Sequence, residues 1–147
     1  MNEYFPSALV GHRCADQYRM SFTAGAHSAR HVRRIVRSFL AEWGLAGVTD
    51  AVELGVTELL ANVVRHVPDR RCTLLLRRRT GGVVRVEVAD GSPRQPVLAV
   101  PVRDDSECGR GLVLLDAVAD KWGVGPGPEG GKTVWFECAD RAGTPSP

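Results

Sequence analysis

Between Thr49 and Ala89 the spacing of apolar residues changes from helical to alternating, and Pro68 stands at the change. Val52, Val56, Leu59, Leu60, Val63 and Val67 recur three and four apart, the buried stripe of one amphipathic helix. Thr49 or Asp50 is placed to cap it, and Pro68, which cannot donate to a helical ladder, stops it. Arg71 to Arg79 and Val83 to Ala89 then read as two strands. In the second, Val84, Val86 and Val88 alternate with Arg85 and Glu87, and Thr80-Gly81-Gly82 forms the hairpin turn. A helix that must cover a two-residue-period sheet confines the chain to an α/β layered fold.

The flanking segments extend that pattern. Tyr18 to Ala24 alternates as a first strand, and Ala26 to Trp43 is an amphipathic helix with Val32, Ile35, Val36, Phe39, Leu40 and Trp43 on one face. Gly44 follows as its C-cap. Residues 94–108 form a long connection of the length that lids commonly have. Leu112 to Lys121 reads as a helix, Trp122 to Val124 as a short strand, 125–131 as a turn, and Thr133 to Cys138 as the last strand. The expected organisation is an N-terminal tail over 1–17, one domain over 18–138 and a C-terminal tail over 139–147. The fold class expected is an α/β two-layer sandwich, a mixed and mostly antiparallel sheet with three helices on one face.

Composition narrows the function. A 147-residue chain with 44% hydrophobic and 24% charged residues suits one soluble core. No apolar run approaches a membrane span, and Met1 to Val10 does not resemble a signal peptide, so a cytoplasmic location is expected. Cys14, Cys72, Cys108 and Cys138 are scattered and read as reduced thiols, with Cys108 the accessible one. A net charge of +2 does not argue for nucleic acid. The arginines at 30, 33, 34 and 37 and at 77–79 read as solvated faces, or as a docking surface for an acidic protein. His27 and His31 lack a third ligand and read as surface residues.

On the second helix Glu58, Asn62 and His66 lie four apart, so they share a face that borders the apolar stripe. A carboxylate can take a proton and a carboxamide oxygen can hold Mg²⁺, which is what nucleotide-dependent phosphoryl transfer needs. On the helix alone, Glu58 could equally pair with Arg65 at the surface, and His66 reads as a packing or hydrogen-bonding residue. Downstream, Asp90-Gly91 ends a strand, Gly109-Arg110-Gly111-Leu112 opens a helix, and Gly131-Lys132-Thr133 enters the last strand. Asp90 can accept the exocyclic amino hydrogen of adenine, and so choose adenine over guanine, Gly91 lets a base approach the backbone, and the 109–112 turn presents free N–H groups suited to phosphate. Arg110 can touch phosphate or cap its loop. Thr133 can offer a hydroxyl to the base or to an ordered water. Lys132 does not complete a phosphate-binding Gly-x-x-x-x-Gly-Lys-Thr loop, because Pro126 stands at the first glycine and a strand follows.

In these four motifs the chain resembles the GHKL ATPase superfamily with its Bergerat ATP-binding fold, and within it the bacterial anti-sigma-factor serine kinases. The resemblance covers about residues 18–138. Glu58 and Asn62 match its Glu-x-x-x-Asn helix motif. Asp90 matches the start of its Asp-x-Gly-x-Gly motif and is followed by Gly91, Ser92 and Pro93, and the final glycine is absent. The resemblance implies ATP and Mg²⁺ as cofactors, with Glu58 activating a serine hydroxyl and Asn62 holding Mg²⁺. Asp90, Gly91 and Thr133 would line the adenine, and Gly109, Arg110, Gly111 and Leu112 the phosphates. It implies a sigma factor and an anti-anti-sigma protein of the STAS fold as partners, and makes a homodimer plausible through the first helix or the segment before it. Direct nucleic-acid or membrane contact is not expected. The competing expectation is a partner-switching module that sequesters a sigma factor or its antagonist without turnover, ATP being weakly bound or structural.

Overall fold

The structure is a computed structural model, and it describes residues 10–93 and 114–140. Six strands form one sheet: β1 (Val10–Cys14), β2 (Gln17–Thr23), β3 (Arg71–Arg79), β4 (Val83–Asp90), β5 (Lys121–Pro126) and β6 (Lys132–Ala139), in the order β1-β2-β3-β4-β6-β5. Three helices accompany it among the described residues: α1 (Ser28–Glu42), α2 (Thr49–His66) and α3 (114–118).

Every described strand pairing is antiparallel, so the sheet is not mixed as expected. The reason is in the connections. Short turns join β1 to β2, β3 to β4 and β5 to β6, and such turns only fit antiparallel neighbours. Between β2 and β3 the chain makes a helical hairpin. Arg37 bonds Glu53 and Arg33 bonds Thr57, a pairing in which one helix runs back along the other. The chain therefore returns to the end of the sheet it left, and Thr23 faces Arg71.

The expected tail ends earlier than residue 17. Val10–Cys14 is an edge strand paired with β2, turned at Ala15 and Asp16. That turn is pinned from β3: the Arg78 guanidinium bonds Asp16 Oδ1 at 2.6 and 3.0 Å, and the Arg78 N–H bonds the Asp16 carbonyl. Residues 1–9 and 141–147 of the expected tails, and the lid at 94–108, lie outside the described residues.

One face of the sheet is buried by α1 and α2. Met20, Phe22, Leu74, Leu76, Val84, Val86, Val88, Val134 and Phe136 meet Val32, Val36 and Leu40 of α1 and Val52, Val56, Leu59, Leu60 and Val63 of α2. Each such side chain, fully buried, contributes about 1.5–3 kcal/mol relative to exposure. The opposite face carries the other alternation set, including Arg19, Arg77, Arg85, Glu87 and Trp135, all half-buried or exposed. Here Arg85 lies over the Trp135 ring at 4.1 Å and bonds Glu87 and Glu137.

Local signals explain the ends. Gly44 takes φ 73°, and Leu45 N–H reaches back to the Leu40 carbonyl, closing α1. Thr49 and Asp50 turn out to be the first residues of α2 rather than its cap, because a short 3-10 turn over Ala46–Val48 already leads into it. Val67 is extended, as the residue before proline prefers, and α2 stops there. The helix expected over 112–121 gives way sooner, since Lys121 already pairs with Glu137 in β5.

Candidate functional site

Three contacts set the direction of α2 across the sheet. Before its first turn, Gly47 N–H donates to Asp140 Oδ2 at 3.3 Å, just beyond the end of β6. Midway, Gly55 lies on the ring of Phe136. At its far end, residues 67–70 lead straight into β3, whose second residue, Cys72, faces Asp90. Asn62 is seven residues past Gly55, about 10 Å at 1.5 Å per residue. Lys132 is four residues from Phe136 in the same direction, about 13 Å along a strand. Asn62 thus arrives at the end of the sheet that holds Asp90.

The flank is fixed as well. Glu53 and Thr57 bond α1, and at 3.6 residues per turn Glu58 and Asn62 fall on the other flank, away from α1. Both are half-buried, and neither has a hydrogen bond or ion pair among the described residues. The surface pairing of Glu58 with Arg65 does not form. His66 is half-buried one turn further on.

Asp90 is the most constrained group. It is 3% exposed, at the last position of β4. Its Oδ1 accepts the Ser92 N–H at 2.9 Å, the local bond that an Asp-Gly-Ser turn favours, and the Lys132 ammonium at 3.0 Å. Its Oδ2 has no partner among the described residues. Lys132 is 5% exposed and lies directly across the ladder from Asp90, which is why the two side chains meet. Burying the two charges together avoids the cost of an isolated one.

This corrects the assignment of Thr133 to the base. In β6 successive side chains alternate faces. Lys132 takes the face of Asp90, and Thr133 the opposite face, beside Ala89. The Thr133 hydroxyl donates to the Pro126 carbonyl at 3.1 Å and lines a groove with Arg19, Leu75, Arg77 and Glu87. Sequence reasoning set Lys132 aside because it matched no phosphate loop. The signal that finds it is parity: counting back by twos from Phe136 and Val134 puts position 132 on the core face.

The glycines divide in role. A Cβ on Gly131 would overlap the carbonyl oxygen of Asp90, so this glycine lets β6 start hard against the end of β4. Gly91 is exposed, and a Cβ there would meet nothing within 4 Å. A cleft of about 390 Å³ opens at this end of the sheet, lined by Phe22, Thr23, Asp69, Arg71, Cys72, Asp90 and Gly91 among others. Within it, burial and the Asp90 carboxylate push the Cys72 thiol up to about 12, leaving it a neutral packing group. Gly109, Arg110, Gly111, Leu112 and Cys108 lie outside the described residues. His27 is exposed and His31 half-buried, and no group of three possible metal ligands occurs among the described residues.

The donor set fits a nucleotide. A carboxamide oxygen without a partner suits a hard cation, and a buried carboxylate with one free oxygen suits an amino group. No helix among the described residues is long and apolar enough to cross a membrane.

Comparison with known proteins bears on the fold and the family. An uncharacterized protein of Streptomyces coelicolor, SCO4941, is 42% identical over 71 residues, 47% of this chain and 68% of that protein. The crystal structure of the RsbU and RsbW domains of Rv1364c from Mycobacterium tuberculosis matches with a TM-score of 0.60 at 21% identity, over 82% of this chain and 32% of the solved one. That likeness is one of fold, and this chain spans about a third of the solved protein's length. The pattern of the histidine kinase-like ATPase domain covers residues 22–137, nearly everything between the first full strand and the last. This chain belongs to the histidine kinase-like ATPase domain family.

Proposed function

We propose that this protein is an ATP-binding anti-sigma regulator that phosphorylates a serine on an anti-anti-sigma protein of the STAS fold. The observation that carries the reading is the placement of Asn62. It is half-buried, without a partner among the described residues, and at the same end of the sheet as the free Oδ2 of Asp90. Asn62 would hold Mg²⁺ through its carboxamide oxygen, and Asp90 would accept the exocyclic amino group of adenine. The backbone N–H groups of 109–112 would receive phosphate. Bound Mg-ATP supplies the transferable γ-phosphoryl group and the charge neutralisation it needs. Glu58, one turn before Asn62, would accept the proton of the incoming serine hydroxyl. Most of the rate gain then comes from positioning and electrostatics. Phosphorylation would release the partner and leave the protein free to hold a sigma factor.

A second reading, a partner switch without turnover, draws on the Lys132–Asp90 ion pair, which already occupies one oxygen of the base-reading carboxylate. Transfer of labelled phosphate from ATP to purified STAS-fold proteins separates the two. A kinase loses transfer in Glu58→Ala and keeps nucleotide binding, whereas a switch shows no transfer in the native protein.

A further inference from the structure

We infer that Lys132 is a second base-reading residue beside Asp90, and that the site accepts guanine as well as adenine. The inference rests on the nucleotide reading above and adds the chemistry of the base.

The argument starts from what the ion pair leaves unused. Asp90 Oδ1 takes both described bonds, from Lys132 and from the Ser92 N–H, and Oδ2 takes none. An ammonium has three donors, and among the described residues Lys132 spends one of them, on Asp90. Both side chains are more than nine-tenths buried. A buried acceptor and buried donors thus stand about one hydrogen-bond length apart, each with capacity left. Charge points to the class of ligand. The pair sums to zero, so it favours an uncharged ring with a donor beside an acceptor over a phosphate, which the Asp90 carboxylate would repel.

Both purines have such an edge. Adenine sets its amino donor next to a ring-nitrogen acceptor. Guanine sets a ring N–H next to the O6 acceptor. A carboxylate standing alone serves the adenine amino group and repels O6. An ammonium at 3.0 Å from that carboxylate supplies O6 with a donor. Strong discrimination between bases arises where one of them leaves a buried polar group unpaired. With Lys132 present either purine, turned so that its donor meets Asp90 and its acceptor meets Lys132, leaves neither of the two side chains unpaired.

The test is equilibrium binding of Mg-ATP, Mg-GTP and Mg-ITP to the full chain. The native protein is expected to bind GTP and ITP within about tenfold of ATP, and a preference for ATP of about a hundredfold or more would overturn the inference. Lys132→Met, of similar volume and without donors, is expected to raise the ATP-over-GTP ratio by about tenfold. An unchanged ratio overturns the role of Lys132. That variant leaves Asp90 buried and unpaired, so its fold is checked by circular dichroism. The measurements on the native protein decide the matter even where the variant does not fold. ATP binding with GTP and ITP excluded overturns this inference alone. Failure of all three nucleotides to bind at millimolar concentration overturns the nucleotide reading together with it.

Discussion

The ring of Phe136 on β6 lies against Gly55 in the middle of α2, so close that a Cβ on Gly55 would come within 2.5 Å of its Cζ. Glycine inside a helix ordinarily costs about 1 kcal/mol relative to alanine. Here it allows α2 to settle onto the sheet on its way toward the end that holds Asp90. Gly55→Ala is therefore expected to destabilise, the overpacking of about 1–3 kcal/mol outweighing the gain in helix propensity. Adding Phe136→Leu should recover part of the loss. Urea unfolding of the three variants measures this, and a Gly55→Ala protein more stable than the native one would contradict it.

The ion pair at the end of β4 sets a second expectation. Lys132→Met leaves a buried carboxylate without its counter-charge, a loss expected to be about 3–5 kcal/mol. Asp90→Asn in the same chain removes the orphaned charge and should restore most of it. A double-mutant cycle by chemical denaturation reads the coupling, and additive effects would contradict a pair that acts as a unit.

Glu137 gives the acid limb of stability. Burial acts to raise its carboxyl, but hydrogen bonds from Arg85 at 2.9 Å and Arg79 at 2.7 Å prevail and hold it below the usual carboxylate range. A carboxylate so lowered stabilises the fold fully above its unfolded value, about 4.3, and loses that contribution as pH falls through the lower native value. Glu137→Gln should cost about 1–2 kcal/mol at neutral pH, and the difference from the native protein should close in acid. Denaturation midpoints from pH 7 downward check it. A constant difference at every pH would contradict it.

The thiols offer a test of the core. Burial pushes both Cys72 and Cys138 up to about 12, with Asp90 and Asp120 adding to the effect. At pH 8 in native buffer these two should not react with a disulfide reagent on the timescale of minutes, and all four thiols of the chain should react in denaturant. Three or more fast thiols in the native protein would contradict the burial.

Much of this was legible in the sequence because single rules governed it. The stripe from Val52 to Val63 and the alternation from Val84 to Val88 gave α2 and β4, and the Gly81-Gly82 turn, with φ of 82° and 74°, joined β3 to β4 as glycine allows. The first hairpin was not legible. Its Ala15-Asp16 turn carries neither glycine nor proline, and what holds it is Arg78, 62 residues away. Thr133 and Lys132 show the same limit at the site. Residue type favoured the threonine, since a hydroxyl suits a base. Register favoured the lysine, because a one-residue step along a strand changes the face. The spacing of four puts Glu58 and Asn62 on one flank of α2, and the path of α2 over Phe136 sets the end of the sheet toward which they run.

The central claim is that Asn62 and Asp90 serve one nucleotide. Calorimetric titration with Mg-ATP, on the native protein, Asn62→Ala and Asp90→Asn, tests it most directly. The native protein should bind, and each substitution should weaken binding by about tenfold or more while the circular dichroism spectrum stays native. Binding that persists undiminished in both variants, or no binding by the native protein at millimolar nucleotide, would contradict it.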